Sequence, residues 1–219
     1  KLPLFLQHRV KLSLSVPVPW GEIRGKVWGP DRGRPVLCLH GWADNCGSFS
    51  TLIPLLPKEC RYVAVDLAGH GLSSHRPPGA FYSSPEYVAD VCRVVDGCNH
   101  RIDTVRTPQR HKYEKKTEKK KRVYTYEKAA ERLLAANPTL SEQSVNILLE
   151  RGLLQVEGGA SLSLHHLSER SNLSLLSHIC CQLKVMKIHK MFKPEVVAPF
   201  VSDFLRSKVL SRSIREHKL

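Results

Sequence analysis

From residue 11 to residue 28 the chain alternates. Lys11-Leu12-Ser13-Leu14-Ser15-Val16 puts an apolar side chain at every second position, and Trp20-Gly21-Glu22-Ile23-Arg24-Gly25-Lys26-Val27-Trp28 repeats the alternation after a turn. A period of two marks a half-buried strand, so the two runs predict an antiparallel hairpin. Then the pattern changes. Pro35-Val36-Leu37-Cys38-Leu39-His40 and Tyr62-Val63-Ala64-Val65-Asp66-Leu67 are almost continuous apolar runs, as strands covered on both faces require. Between them Phe49 and Leu52-Ile53-Pro54-Leu55-Leu56 offer a short helical crossover. Strand, helix, buried strand predicts a parallel α/β sheet.

Helical spacing follows. Val88, Val91, Cys92 and Val95 stand at i, i+3, i+4 and i+7, with Ser84 as N-cap and Pro85 at the first helical position. After Asp96 the pattern stops. Residues 97–122 hold almost nothing to bury, a break that a compact sheet protein should not have at this point. Order resumes from Tyr126 to Asn137, where Ala129, Leu133 and Leu134 share a helical face that Asn137-Pro138 ends. Thr139-Leu140-Ser141-Glu142 reads as a capping box, opening a helix with Val145, Leu148 and Leu149 that stops near Gly152. Together they predict a helical hairpin. Ile179 to Ile188 reads as a further strand, and Pro194 to Leu205 as a last helix that Pro199 must kink or shorten.

Composition narrows the class. With 219 residues, 42% hydrophobic and 25% charged, wholesale disorder is excluded, and one domain, alone or with an inserted subdomain, is expected. No stretch approaches the roughly 18 apolar residues of a membrane span, and Leu2-Pro3-Leu4-Phe5-Leu6 is too short for a signal-peptide core. A cytoplasmic protein is expected. The final His217-Lys218-Leu219 is a weak likeness of the Ser-Lys-Leu peroxisomal address, which makes the peroxisome the second compartment.

A net charge of +14 suggests a polyanion as partner. Its distribution argues otherwise. Residues 101–128 carry eleven basic against four acidic side chains, residues 184–219 nine against three, and the remainder is nearly neutral. The densest run, Lys115-Lys116-Thr117-Glu118-Lys119-Lys120-Lys121-Arg122, suits either phosphate or anionic-membrane contact or a solvated face. The solvated face is favoured: Glu114 and Glu118 stand within helical reach of basic side chains, Glu114 four residues from Arg110 and Glu118 three from Lys115 and Lys121, and only Tyr113, Tyr124 and Tyr126 could stack on bases. No nucleic-acid partner is expected. The seven cysteines show no C-x-x-C or zinc spacing, and adjacent His165-His166 would point apart on a regular element. Reduced structural thiols, no metal and no cofactor follow.

Two turns carry candidate chemistry. Leu39-His40-Gly41-Trp42 ends one buried strand in a glycine turn, whose backbone N–H groups can hold an oxyanion. Asp66-Leu67-Ala68-Gly69-His70-Gly71-Leu72-Ser73 ends the next. With the strand pattern before each, the pair resembles the α/β-hydrolase superfamily and, within it, the serine hydrolase-like proteins. The likeness covers about residues 11–96. It resumes over roughly 111–159, where Val123-Tyr124-Thr125-Tyr126-Glu127-Lys128-Ala129 and Leu148-Leu149-Glu150-Arg151-Gly152 look like that family's helical cap, and again at Lys193-Pro194-Glu195-Val196-Val197-Ala198-Pro199. The resemblance implies a serine nucleophile, a histidine base, an acidic partner, and an oxyanion hole built partly after His40-Gly41, with the Trp42 N–H as candidate donor. It implies ester or acyl hydrolysis of a small molecule.

The departures matter as much. The family places Gly-x-Ser-x-Gly after the strand that follows the Val88–Val95 helix, and no such motif occurs in this chain. Ser73 and Ser74 stand in a motif that is structural in the family. His189, five residues before Pro194, is the candidate base; no acidic partner has a motif behind it. The expected fold is therefore an α/β-hydrolase-type, mostly parallel sheet with a helical cap, incomplete because the central nucleophile-bearing strands are missing. Its expected parts are an N-terminal core over 1–96, a basic divergent linker over 97–122, a cap remnant over 123–158, and a C-terminal core remnant with a basic tail over 159–219. Lost strands should leave the first ones with bare edges. The expected protein is a truncated or spliced serine hydrolase-like form, inactive without its nucleophile. The alternatives are a non-catalytic interaction protein using the cap helices and basic insert, or a basic nucleic-acid or anionic-membrane binder.

Overall fold

The structure, a computed structural model, describes residues 12–41, 44–80, 82–99, 123–136, 138, 140–156, 159–162, 185–188 and 194–211. Strands β1 (Leu12–Val18) and β2 (Gly21–Trp28) form the predicted hairpin, with Val16 opposite Ile23. Alternation sends Leu14, Val16, Val18, Ile23 and Val27 inward. Strands β3 (Arg34–His40) and β4 (Cys60–Val65) run parallel, Val36 opposite Tyr62 and Leu39 opposite Val65. Their crossover is tighter than a regular α-helix. Two 3-10 turns, Cys46–Phe49 and Ile53–Leu55, carry it, and they bury Phe49, Leu52 and Ile53 completely. Pro54 inside the second turn removes an amide donor, which suits so short a helix.

Helix α1 (Ser84–Asn99) begins at Ser84 itself and runs past Asp96, where the apolar pattern ends. Helices α2 (Tyr126–Ala136) and α3 (Glu142–Gly152) form the helical hairpin, closed by Ala129, Val145 and Leu149. The cap of α3 is Ser141, whose extended backbone turns its hydroxyl onto the Ser144 N–H at 3.2 Å. Thr139, read as that cap, lies outside the described residues. Strands β5 (Leu153–Val156) and β6 (Gly159–Leu162) pair as a separate antiparallel hairpin. Strand β7 (Val185–Ile188) and helix α4 (Pro194–Leu205) follow. Pro199 neither stops nor shortens α4. It lies on the exposed side one turn from exposed Glu195, so the backbone carbonyl that loses its partner faces water.

The main sheet has the order β1-β2-β4-β3-β7. It is mixed: β4, β3 and β7 are parallel, whereas β1 and β2 join antiparallel. The outer edge of β3 is not bare, because β7 pairs along it with His40 opposite Ile188. One face of the sheet packs Val36, Cys38, Tyr62 and Ala64 against the 3-10 turns and against Ala198, Leu205 and Val209. The other packs Val16, Ile23, Leu39, Val63 and Val65 against Tyr87, Val91 and Val94 of α1. Helices thus cover both faces, the α/β layering the run pattern implied. Among the described residues no helix is long and apolar enough to cross a membrane.

Candidate active site

Parallel pairing puts the C-terminal ends of β3 and β4 side by side, and in open α/β sheets ligands bind beyond those ends. Asp66 stands there, fully buried. Its Oδ1 accepts the Cys46 N–H at 2.7 Å, and its Oδ2 accepts the Leu72 N–H at 2.9 Å. Arg151 of α3 donates to the same Oδ2 from Nε at 3.1 Å and from Nη2 at 2.7 Å. Burial works to raise the Asp66 carboxyl, but the guanidinium and the two amides outweigh it and hold it below the ordinary range. Gly71 makes room for this carboxylate: its φ is +51°, and a Cβ there would lie 2.4 Å from Asp66 Cγ.

His40 is buried beside it. Its Nε2 accepts the Leu67 N–H at 2.9 Å, which leaves the ring proton on Nδ1 to be donated to the Gly41 carbonyl at 2.7 Å. Burial pushes this imidazole below its usual value. His70 lies with its ring centroid 5.0 Å away and donates from Nδ1 to the Ala68 carbonyl at 3.0 Å. Burial, and then the neighbouring His40, push His70 down to about 4. His40 fastens the end of β3 to the loop after β4, and the His70 ring, from that loop, rests against the His40 ring. Asp44, nearly buried, accepts the Ser48 hydroxyl at 2.6 Å and the Asn45 N–H at 2.8 Å, while burial pushes its carboxyl up.

Of the residues singled out in the sequence, His40 and Gly41 come together at the end of β3, whereas Trp42 and His189 lie outside the described residues. Ser73 and Ser74 are occupied. Ser73 Oγ accepts the Arg24 N–H at 2.8 Å and donates to the Asp66 carbonyl at 2.5 Å, and Ser74 Oγ accepts the Glu22 N–H at 3.0 Å. Both therefore stitch β2 to the loop after β4. Sequence reading missed Arg151 and Asn45 as site residues. The signal for Arg151 was an aspartate at the end of a buried apolar run, which needs a cation or several donors; linear order does not say which cation it meets. Among the described residues, no group of three His, Cys, Asp or Glu side chains is placed to hold a metal ion.

A sheet with helices on both faces, a Gly turn after β3, and a Gly-rich turn after β4 bolted to a helical hairpin define an α/β hydrolase. The pattern of the alpha/beta hydrolase fold matches residues 34–111. The solved structure of the hypothetical protein PA1622 from Pseudomonas aeruginosa PAO1 superposes with a TM-score of 0.64, covering 89% of this chain and 99% of that one. At 22% identity this likeness concerns the fold alone. The chain has the α/β-hydrolase fold and is similar to the serine hydrolase-like proteins. It is 46% identical over 199 residues to the serine hydrolase-like protein of Danio rerio, covering 69% of this chain and 61% of the relative. To the serine hydrolase-like protein of Homo sapiens it is 56% identical over 83 residues, 38% of this chain and 41% of that protein. The chain thus spans less than two thirds of each of these relatives.

Proposed function

We propose that this chain is a serine hydrolase-like form that retains the fold and cap of an ester- or acyl-cleaving enzyme but does not form an acyl-enzyme. One observation carries this reading. Covalent hydrolysis needs a serine thrust out where a strand turns into a helix, with a histidine in reach. Among the described residues, the strand that joins the main sheet after α1 is β7, and the sequence has no serine between Ile188 and Ser202, which is buried within α4. Ser73 and Ser74, in the loop after β4, spend their hydroxyls on backbone groups of β2 and of Asp66. His189 remains the candidate base, and the Trp42 N–H, on the turn held by His40 and Gly41, the candidate oxyanion donor. The substrate of the fold's active members would be a small ester, and no metal or cofactor enters the reading.

The test is labelling of the purified chain with a fluorophosphonate, alongside hydrolysis of a p-nitrophenyl ester. The expected result is neither labelling nor turnover above a heat-denatured control. Labelling that disappears on replacing one serine overturns the proposal.

A second reading, a non-catalytic interaction protein, is favoured by α4. Its outer side exposes Val196, Phe200 and Phe204, one turn apart each, while Ala198, Ser202 and Leu205 are buried. An apolar row of this kind on a folded, inert chain suits contact with another protein. Co-purification of a defined partner that Phe200→Lys abolishes would support it.

A further inference from the structure

Two polar contacts, one helical turn apart on α3, tie the α2–α3 hairpin to the core. At the first, Asn45 Nδ2 donates to the Leu148 carbonyl at 2.9 Å, while Asn45 Oδ1 accepts the Gly47 N–H at 2.9 Å. At the second, Arg151 grips Asp66 with two donors. Each core partner also holds a turn. Asn45 caps the 3-10 turn that follows β3, and Asp66 accepts the amides of Cys46 in that turn and of Leu72 in the loop after β4. Three segments distant in sequence therefore share two polar side chains. The fit is close: a Cβ on Gly47 would lie 3.0 Å from the Ile147 carbonyl, and one on Gly71 would strike the Asp66 carboxylate.

We infer that Arg151 and Asn45 form a latch by which docking of the helical hairpin orders both turns at the sheet's C-terminal edge, making hairpin and turns one cooperative unit. The physical reason lies in Asp66. A buried carboxylate without its guanidinium is strongly unfavourable. If the hairpin leaves, Asp66 must turn toward water and release the amides of Cys46 and Leu72. Asn45 works in the same direction, because losing the Leu148 carbonyl frees the side chain that caps the 3-10 turn. The hairpin is thus a fixed partner of the 3-10 turn after β3 and of the loop after β4, and not a lid that swings while they stay in place. Arg151 is a positioning residue in this scheme, and the inference holds whether or not the chain hydrolyses an ester.

Amide hydrogen exchange on the full chain tests it, read at Cys46 and Leu72, in α3, and in β1–β2 as reference. Arg151→Met is expected to speed exchange at Cys46, Leu72 and α3 together by about tenfold or more, with β1–β2 unchanged, since local opening of even modest free energy gives that factor. Arg151→Lys keeps the charge but not the paired geometry, and is expected to restore part of the protection. Asn45→Asp is the sharper probe. It keeps the acceptor for Gly47 and removes the donor to Leu148, yet it leaves every partner of Asp66 in place. Faster exchange at Leu72 in Asn45→Asp is the expected result, because the effect must travel through the hairpin. If Leu72 is unchanged in that variant, or if β1–β2 accelerates equally, the latch is overturned. Should Arg151→Met fail to fold, Arg151→Lys and Asn45→Asp carry the test alone.

Discussion

The hydroxyl of Ser73 takes the backbone N–H of Arg24 at 2.8 Å, and this contact decides what that serine is for. Its own proton goes to the Asp66 carbonyl, so neither the lone pairs nor the hydrogen are arranged for attack on a carbonyl carbon. Replacing Ser73 by Ala leaves the Arg24 amide without its side-chain partner. A loss of about 1–3 kcal/mol is expected, the usual cost of orphaning a buried donor. Urea denaturation of the wild-type and variant chains measures it, and reactivity toward a fluorophosphonate should be the same for both.

Gly71→Ala should be more damaging. The left-handed φ of +51° already disfavours alanine, and the added methyl would meet the Asp66 carboxylate. Backbone strain of roughly 1–3 kcal/mol adds to displacement of a buried charge. Loss of more than about 3 kcal/mol in equilibrium unfolding is expected. A stability within experimental error of wild type would mean that the carboxylate is not where the structure puts it.

Acid should weaken the fold through its buried imidazoles. An unfolded histidine titrates near 6.5, whereas folded His70 titrates at about 4 and folded His40 below its usual value. The stability these rings supply is therefore complete above pH 6.5. It is lost as pH falls from there toward 4, by up to about 1.4 kcal/mol per pH unit for each ring. Asp44 and Asp90, whose carboxyls burial pushes up, act in the opposite sense. The difference between wild type and His70→Phe isolates the effect: the wild-type curve should be steeper between pH 6.5 and 4, and the two should run parallel above it. Curves parallel throughout would contradict the assignment.

Arg76 offers a contrast between buried and exposed charge. It pairs with Asp90, donates to Glu86 at 3.0 Å, and lies 4.8 Å from the centroid of the Trp20 ring. The side chains of Arg76 and Asp90 are each only 3% exposed, whereas Arg93, which also reaches Asp90, is 40% exposed. Arg76→Met removes the buried partner of Asp90 and leaves only the half-exposed Arg93, so it should cost about 2–4 kcal/mol, and Arg93→Met less than about 1 kcal/mol. Thermal unfolding of the two variants side by side gives the comparison.

Much of the fold was legible from periodicity alone. Both strand types, the crossover, α1 and the helical hairpin follow from runs whose burial is local and repetitive. Helix ends were less legible. Ser141 and Thr139 are both good caps by type, and only the backbone conformation at Ser141 decides between them. The site was half visible. His40 and Gly41 announce themselves by their place at the end of a buried strand, but the fastening of Asp66 to Arg151 joins residues 85 apart. Nothing in their spacing encodes that contact. The partner of the β3 edge was hidden for the same reason: a four-residue strand such as Val185–Ile188 is too short for its pattern to name its neighbour.

That same β3–β7 pairing has a kinetic meaning. Strands β1 to β4 lie within one contiguous stretch of the chain, so their ladders close over short loops and can form early. Leu37–His40 and Val185–Ile188 must instead find each other across well over a hundred residues, and such closures come late and slowly. Until β7 arrives, the growing chain presents the open flank of β3 to whatever other strands are near. The time spent in that state, and not the depth of the native minimum, then governs how much newly made protein reaches its folded form and how much is lost to association.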